Sequence, residues 1–109
     1  MSRGTIGEFE ALVLLAILRV GEEAYGVPIL EEIRRRTSRD VLRPAVYVAL
    51  RRLEQKGLVR AVKGRGTPAR GGRPRKFYEV APEGLAALRE ARNDLLSMWD
   101  GLEAVLDRS

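Results

Sequence analysis

Between Arg43 and Lys76 the chain carries side chains suited to reading and gripping a nucleic-acid duplex. Pro44 opens a helical stretch, RPAVYVALRRLEQK, that ends at Gly57 with Lys56 in its last turn. Val46, Leu50 and Leu53 share one apolar face. Val48, Arg51 and Gln55 point directly away from that face, and Tyr47 and Arg52 flank them. Arginine presents a fork of donors that matches a guanine edge, and an apolar side chain matches the thymine methyl. Arg43, at the start of the helix, is placed for a phosphate contact. Leu58–Val62 and Phe77–Val80 read as short strands, and the segment between them is too rich in glycine and proline for a helix. That segment carries Lys63, Arg65, Arg70, Arg73, Arg75 and Lys76 and no acid, which suits a loop that runs along phosphates or enters a minor groove. A charge run can also be no more than a solvated face. Tyr47 and Val48, neutral and apolar among exposed arginines, favour the first reading.

The charge is segregated. Residues 34–76 hold fifteen Arg and Lys against two acids, Asp40 and Glu54, a local +13 inside a chain whose net charge is only +5. Such segregation builds a field stronger than the net charge suggests. Arg outnumbers Lys seventeen to three, which mainly reflects composition but also suits bidentate contacts. There is no cysteine and no histidine, so a disulfide framework, a thiolate metal site and the commonest general base are all absent. The serines, Ser2, Ser38, Ser97 and Ser109, sit in no nucleophile elbow, and no glycine-rich loop of phosphate-binding type opens a helix. Glu22 and Glu23 have no partner base in sight. These absences point away from catalysis and imply no cofactor and no metal.

The elements that must position these residues follow from spacing. The chain of 109 residues makes one domain. A chain of this size buries roughly 65% of its unfolded surface, enough for one small core. Ile6–Val20 reads as a helix with Phe9, Val13, Ala16, Ile17 and Val20 on one face and Ala11, Leu14, Leu15 and Leu18 on the other. A helix apolar all round is buried all round, and so small a domain needs a second chain to cover one side. The next helix has Pro28 near its start, runs to about Thr37, and faces inward with Gly26, Leu30, Ile33 and Thr37. Glu31 and Glu32 stand four residues before Arg35 and Arg36, the favourable order for side-chain pairs. Pro82 to about Leu106 reads as one final helix with the seam Leu85, Leu88, Arg92, Leu95, Trp99, Leu102 and Leu106, a heptad pattern broken once at Arg92. That seam, with Leu15 and Leu18, is the expected dimer interface. Trp99 reads first as packing in it. With Met98 and Leu95, it could also form a platform for a flat apolar ligand. The apolar run Ala11–Leu18 is too short to span a bilayer, and MSRGTIGEFE lacks a cleavage-site pattern, so the expected location is the cytoplasm.

Four pieces resemble the PadR family of winged-helix transcriptional regulators. They are AYG at 24–26, RPAVYVALRRLEQKGLV at 43–59, GGRPRKFYEV at 71–80 and PEGLAAL at 82–88. The resemblance runs from about Ile6 to Leu88, and the length is similar to the short subgroup with one C-terminal helix. It implies a mainly helical fold with a small β-hairpin. Residues 1–81 would form a winged helix-turn-helix and 82–109 a dimerisation helix of the same compact unit. It implies a homodimer on double-stranded DNA, usually a repressor, sometimes released by a small molecule. Some relatives are thought to hold planar ligands at the position matched by Trp99. The chain departs from the family's usual Ser at Arg43, Thr at Ala81, Gly at Ala45 and Pro at Val48. The first two departures remove helix-cap oxygens, each worth about 1 kcal/mol. The other two fall on the reading face, so no operator sequence carries over. Two other readings share the composition. One is a winged-helix adaptor that binds protein, against which the basic loop argues. The other is a DNA-binding protein blind to sequence.

Overall fold

Apolar spacing sets the helices of this chain, and glycine sets several of their ends. The computed structural model describes residues 5–62 and 75–108. In chain order these form α1 (Glu8–Val20), a 3-10 turn (Gly21–Glu23), α2 (Gly26–Arg36), α3 (Arg43–Gln55), β1 (Val59–Val62), β2 (Phe77–Val80), α4 (Pro82–Trp99) and α5 (Glu103–Asp107). The strands pair antiparallel, with Val59 opposite Val80 and Val62 opposite Phe77. The result is mainly helical with one two-stranded hairpin, and the strands fall within a residue of the segments read from sequence.

α1 is the spine of the core, packed against α2, α3 and β2. Its Val13, Leu14, Ala16 and Ile17 meet Ile29, Leu30 and Ile33 of α2 and Val46, Ala49, Leu50 and Leu53 of α3. Leu14 corrects the sequence reading, which set it on the outer side with Leu15 and Leu18. α2, α3, β2 and α4 all contact α1, so its buried arc is broad enough to take Leu14 in completely, whereas Leu15 and Leu18 stay 44% and 48% exposed. The inner face of α2 also gains Ile29 and Glu32. Glu32 is tolerated at a buried place because the guanidiniums of Arg35 and Arg36 hold its carboxylate.

α3 begins at Arg43, with Leu42 as its extended cap residue and no side-chain cap bond. Arg43 is therefore the first helical residue rather than the cap that the sequence reading made of it. The helix ends in a Schellman arrangement. Leu58 N–H donates to the Leu53 carbonyl at 2.9 Å and Gly57 N–H to the Glu54 carbonyl at 3.0 Å. Gly57 sits at φ +76°, which a side chain would strain. Leu53 and Leu58 are both buried beside this turn, which feeds the chain directly into β1.

The final helix is shorter than its heptad pattern suggests. α4 stops at Trp99, and Trp99–Leu102 forms a type II turn, with Asp100 at φ −53° and ψ 123° and Gly101 at φ +86°. Leu102 N–H donates to the Trp99 carbonyl at 2.8 Å to close it. Leu102 and Leu106 therefore do not continue the stripe of Leu85, Leu88 and Leu95, as the seam reading required.

α4 is seated on the hairpin by Gly84. A Cβ at this position would strike the Leu58 carbonyl and press on Val80. The same carbonyl accepts the Ala81 N–H at 2.9 Å, so it is not free to move away. Gly84→Ala is expected to cost about 1–3 kcal/mol of stability, the usual range for overpacking. Urea denaturation measures it. An unchanged midpoint would mean that α4 slides off the hairpin without penalty.

Candidate nucleic-acid interface

α3 divides cleanly into two sides. Val46, Ala49, Leu50 and Leu53 are buried, whereas Arg43, Pro44, Val48, Arg51, Arg52 and Gln55 are exposed. The division agrees with the faces read from periodicity. Tyr47 is 42% exposed, and its ring lies so close over Gly26 that a Cβ on that glycine would overlap it. Tyr47 therefore packs against the start of α2 as well as facing outward.

The hairpin is tied to the helices at one junction. Tyr78 N–H donates to the Ala24 carbonyl at 2.8 Å. Tyr25 meets Phe77 edge to face at 5.2 Å between ring centres, and the Arg75 guanidinium lies 4.6 Å above the Tyr25 ring. Lys76 Nζ reaches Glu54 Oε1 of α3 at 3.1 Å and stands 5.6 Å from the Tyr78 ring centre. The hydrogen bond to Glu54 and the neighbouring phenol hold the Lys76 ammonium above its ordinary pKa, and burial pushes the Tyr78 phenol up. Sequence reasoning gave Arg75 and Lys76 to DNA and missed Tyr25 and Glu54 as the groups that hold them. Glu54, one of two acids inside a long basic stretch, was the available signal. Arg65, Arg70 and Arg73, the other expected contacts of the hairpin, lie outside the described residues.

The positive block separates into two populations. Arg34 donates through Nε and Nη2 to the Val41 carbonyl, at 2.9 and 2.6 Å, and locks the link between α2 and α3. Arg39 pairs with Glu8 at 2.6 Å and Arg60 with Glu79 at 2.8 Å, while Arg35 and Arg36 share Glu32. By contrast, Arg43, Arg51 and Arg52 make no ion pair among the described residues. Charge at the end of α2 is engaged within the fold, whereas the arginines of α3 stay exposed.

Lys56, in the last turn, anchors α3 to α1. Its Nζ lies 2.9 Å from Glu10 Oε1 and 3.2 Å from the Thr5 carbonyl. Glu10 also accepts the Gly7 N–H at 2.9 Å. Burial alone would raise the Glu10 pKa, but the Gly7 amide, Lys56 and Arg52 together bring it below the ordinary 4.5.

On the other side of α1, Ala11, Leu15 and Leu18 line an open groove of about 550 Å³ with Leu85, Leu88 and Leu95 of α4. Arg89 and Arg92 stand beside it. Trp99 and Met98 lie outside the groove and are exposed, and Leu102 and Leu106 are exposed beyond the turn. Among the described residues no cluster of metal-ligating side chains gathers, and no helix is long and apolar enough to cross a membrane.

Helices α1 to α3 with an antiparallel hairpin after the third define a winged-helix protein. The profile described as the transcriptional regulator PadR-like family matches residues 14–90, and the chain belongs to that family. A PadR family transcription regulator from Clostridium difficile superposes with a TM-score of 0.69 at 24% identity, over 94% of this chain and 97% of that one. One from Eggerthella lenta gives 0.67 at 29%, over 94% and 88%. A PadR-like regulator from Bacillus cereus gives 0.65 at 21%, over 92% and 88%. No curated protein matches the chain. The family and these neighbours are transcriptional regulators, not enzymes.

The Glu10 anchor has a pH signature. A carboxyl whose folded pKa is lowered adds stability above its unfolded value, and that stability is lost as pH falls through the folded value. Glu10→Gln is expected to cost about 1–2 kcal/mol at pH 7. The gap from the native protein should close below pH 4.5, the ordinary value of the group. Thermal melts from pH 7 to pH 3 measure it. A gap that persists at the acid end would show that the charge is not what matters.

Proposed function

We propose that the protein is a homodimeric repressor that reads a two-fold symmetric DNA site and is released by a small flat apolar effector. Residues 1–81 form the reading unit and 82–109 the dimer element. The outer face of α3 enters the major groove, with Arg51, Arg52, Gln55, Tyr47 and Val48 toward the bases and Arg43 toward phosphate. Arg65, Arg70, Arg73, Arg75 and Lys76 of the hairpin run beside it along the backbone. The single observation that carries this reading is the division of charge: the arginines of α3 are exposed and form no ion pair among the described residues, whereas those of α2 are bonded within the fold. Two reading helices in such a dimer stand about 34 Å apart.

Footprinting on random and native upstream duplexes tests the reading. With about 8–10 phosphates neutralised per dimer, the log–log salt slope of binding should lie near −7 to −9. Arg51→Ala should cost about 1–3 kcal/mol and relax one base position per half-site. Arg36→Ala should leave affinity and slope unchanged. Equal losses from both variants would mean that charge alone, not the face of α3, binds DNA.

The dimer reading rests on the groove between α1 and α4, with Leu15 at 44% and Leu95 at 60% exposure in its walls. Apolar surface of this kind marks a covered site. Leu18, Leu85 and Leu88 complete it, and Trp99, Leu102 and Leu106 extend the contact beyond the turn. Leu15→Glu with Leu95→Glu should give a folded monomer by sedimentation and circular dichroism. A folded dimer of that variant would overturn this interface. The effector reading rests on Trp99 and Met98, exposed next to the groove, with Leu95 in its wall. Quenching of Trp99 by flat aromatic acids or dyes, followed by loss of the DNA complex, is its test.

A further inference from the structure

Val48 is 43% exposed in the middle of the outer face of α3, where an apolar side chain gains nothing from water. It does not stand alone. A surface hollow of about 850 Å³ opens beside it, with Phe9, Pro44 and Ala45 among its apolar walls and Arg52 and Lys56 at its edge. Two carboxylates, Glu8 and Glu10, also border the hollow. Each is held by a cation of this chain, Glu8 by Arg39 and Glu10 by Lys56, so neither leaves a bare negative charge toward an incoming duplex. Arg51 and Arg52, one turn along the same helix from Val48, are exposed and form no ion pair among the described residues. The patch is thus apolar at its centre, with Arg51 and Arg52 along its α3 side and the paired Glu8 and Glu10 on its α1 side. A major groove offers the complement at one kind of base only: the C5 methyl of thymine, set between phosphate rows.

We infer that Val48, with Pro44 and Ala45, receives a thymine methyl group and so fixes one A·T pair in each half-site. This rests on the reading of α3 as the recognition helix and adds the identity of one base. A cytosine or purine at the same place would present a polar edge or an empty space to Val48 and lose the contact. Arg51 follows Val48 by three residues, close to one helical turn of about 5.4 Å. A base step along one strand is about 3.4 Å. The thymine therefore lies one or two pairs from the base that Arg51 contacts.

The experiment replaces the methyl and nothing else. A site is selected from a random duplex library. Each thymine of the half-site is then exchanged in turn for deoxyuridine, and affinity is measured for the native protein and for Val48→Ala. One thymine per half-site, within two pairs of the position relaxed by Arg51→Ala, should lose about fourfold in affinity when demethylated, the worth of one buried methyl-sized group. Val48→Ala, at an exposed helical position that tolerates alanine, should narrow the difference between the thymine and uracil duplexes, leaving only what Pro44, Ala45 and the smaller side chain can supply. The proposal is overturned if no deoxyuridine duplex binds more weakly. It is overturned equally if Val48→Ala keeps the full discrimination. Either result leaves sequence-specific binding by α3 intact. Failure to select any preferred site would instead sink the recognition-helix reading, and this inference with it.

Discussion

The amide of Tyr78 meets the carbonyl of Ala24 at 2.8 Å, and the two residues after Ala24 complete the same junction. Tyr25 meets Phe77 edge to face and lies under Arg75. Gly26 leaves room for the Tyr47 ring. Three consecutive residues at the start of α2 thereby fix β2 on one side and α3 on the other. Glu54 and Lys76 close the circuit by joining α3 to the hairpin directly. Among the described residues, α3 and β2 are thus joined to each other and to the start of α2.

The division of labour among the arginines follows from where each acid falls. Glu32, Glu8 and Glu79 draw in Arg35, Arg36, Arg39 and Arg60. Glu10 takes Lys56, and Arg34 is used on a carbonyl. α3 has one acid, Glu54, and it turns toward the hairpin rather than toward Arg51. Ion pairs exposed to solvent contribute little to stability. Their larger effect here is to offset part of the positive charge around α2 and the hairpin, whereas Arg43, Arg51 and Arg52 of α3 form no ion pair among the described residues.

Much of this was legible in the residues. The faces of α3, the two strands and the glycine end at Gly57 follow from period and turn chemistry, because each is set within a few residues of itself. Leu14 was misplaced because its burial depends on several elements packing round α1, which no local pattern records. Tyr25 and Glu54 were missed for a related reason: their partners, Phe77 and Lys76, are distant in sequence. The overlong final helix is a different kind of error. Asp100-Gly101 is a local turn signal, and the heptad spacing of leucines on both sides masked it. The charge of residues 34–76 was counted correctly, but a count does not say which cations are already engaged.

That turn has a geometric consequence of its own. α4 has 18 residues, a rise of about 27 Å. At its end Gly101 redirects the chain, so Leu102, Val105 and Leu106 address a different direction from Leu85, Leu88 and Leu95. The C-terminal region is a bracket with two apolar arms, not a rod with one. A rod can slide along its partner by a heptad and remain in register with itself. A bracket has a corner, and a corner fits in one place.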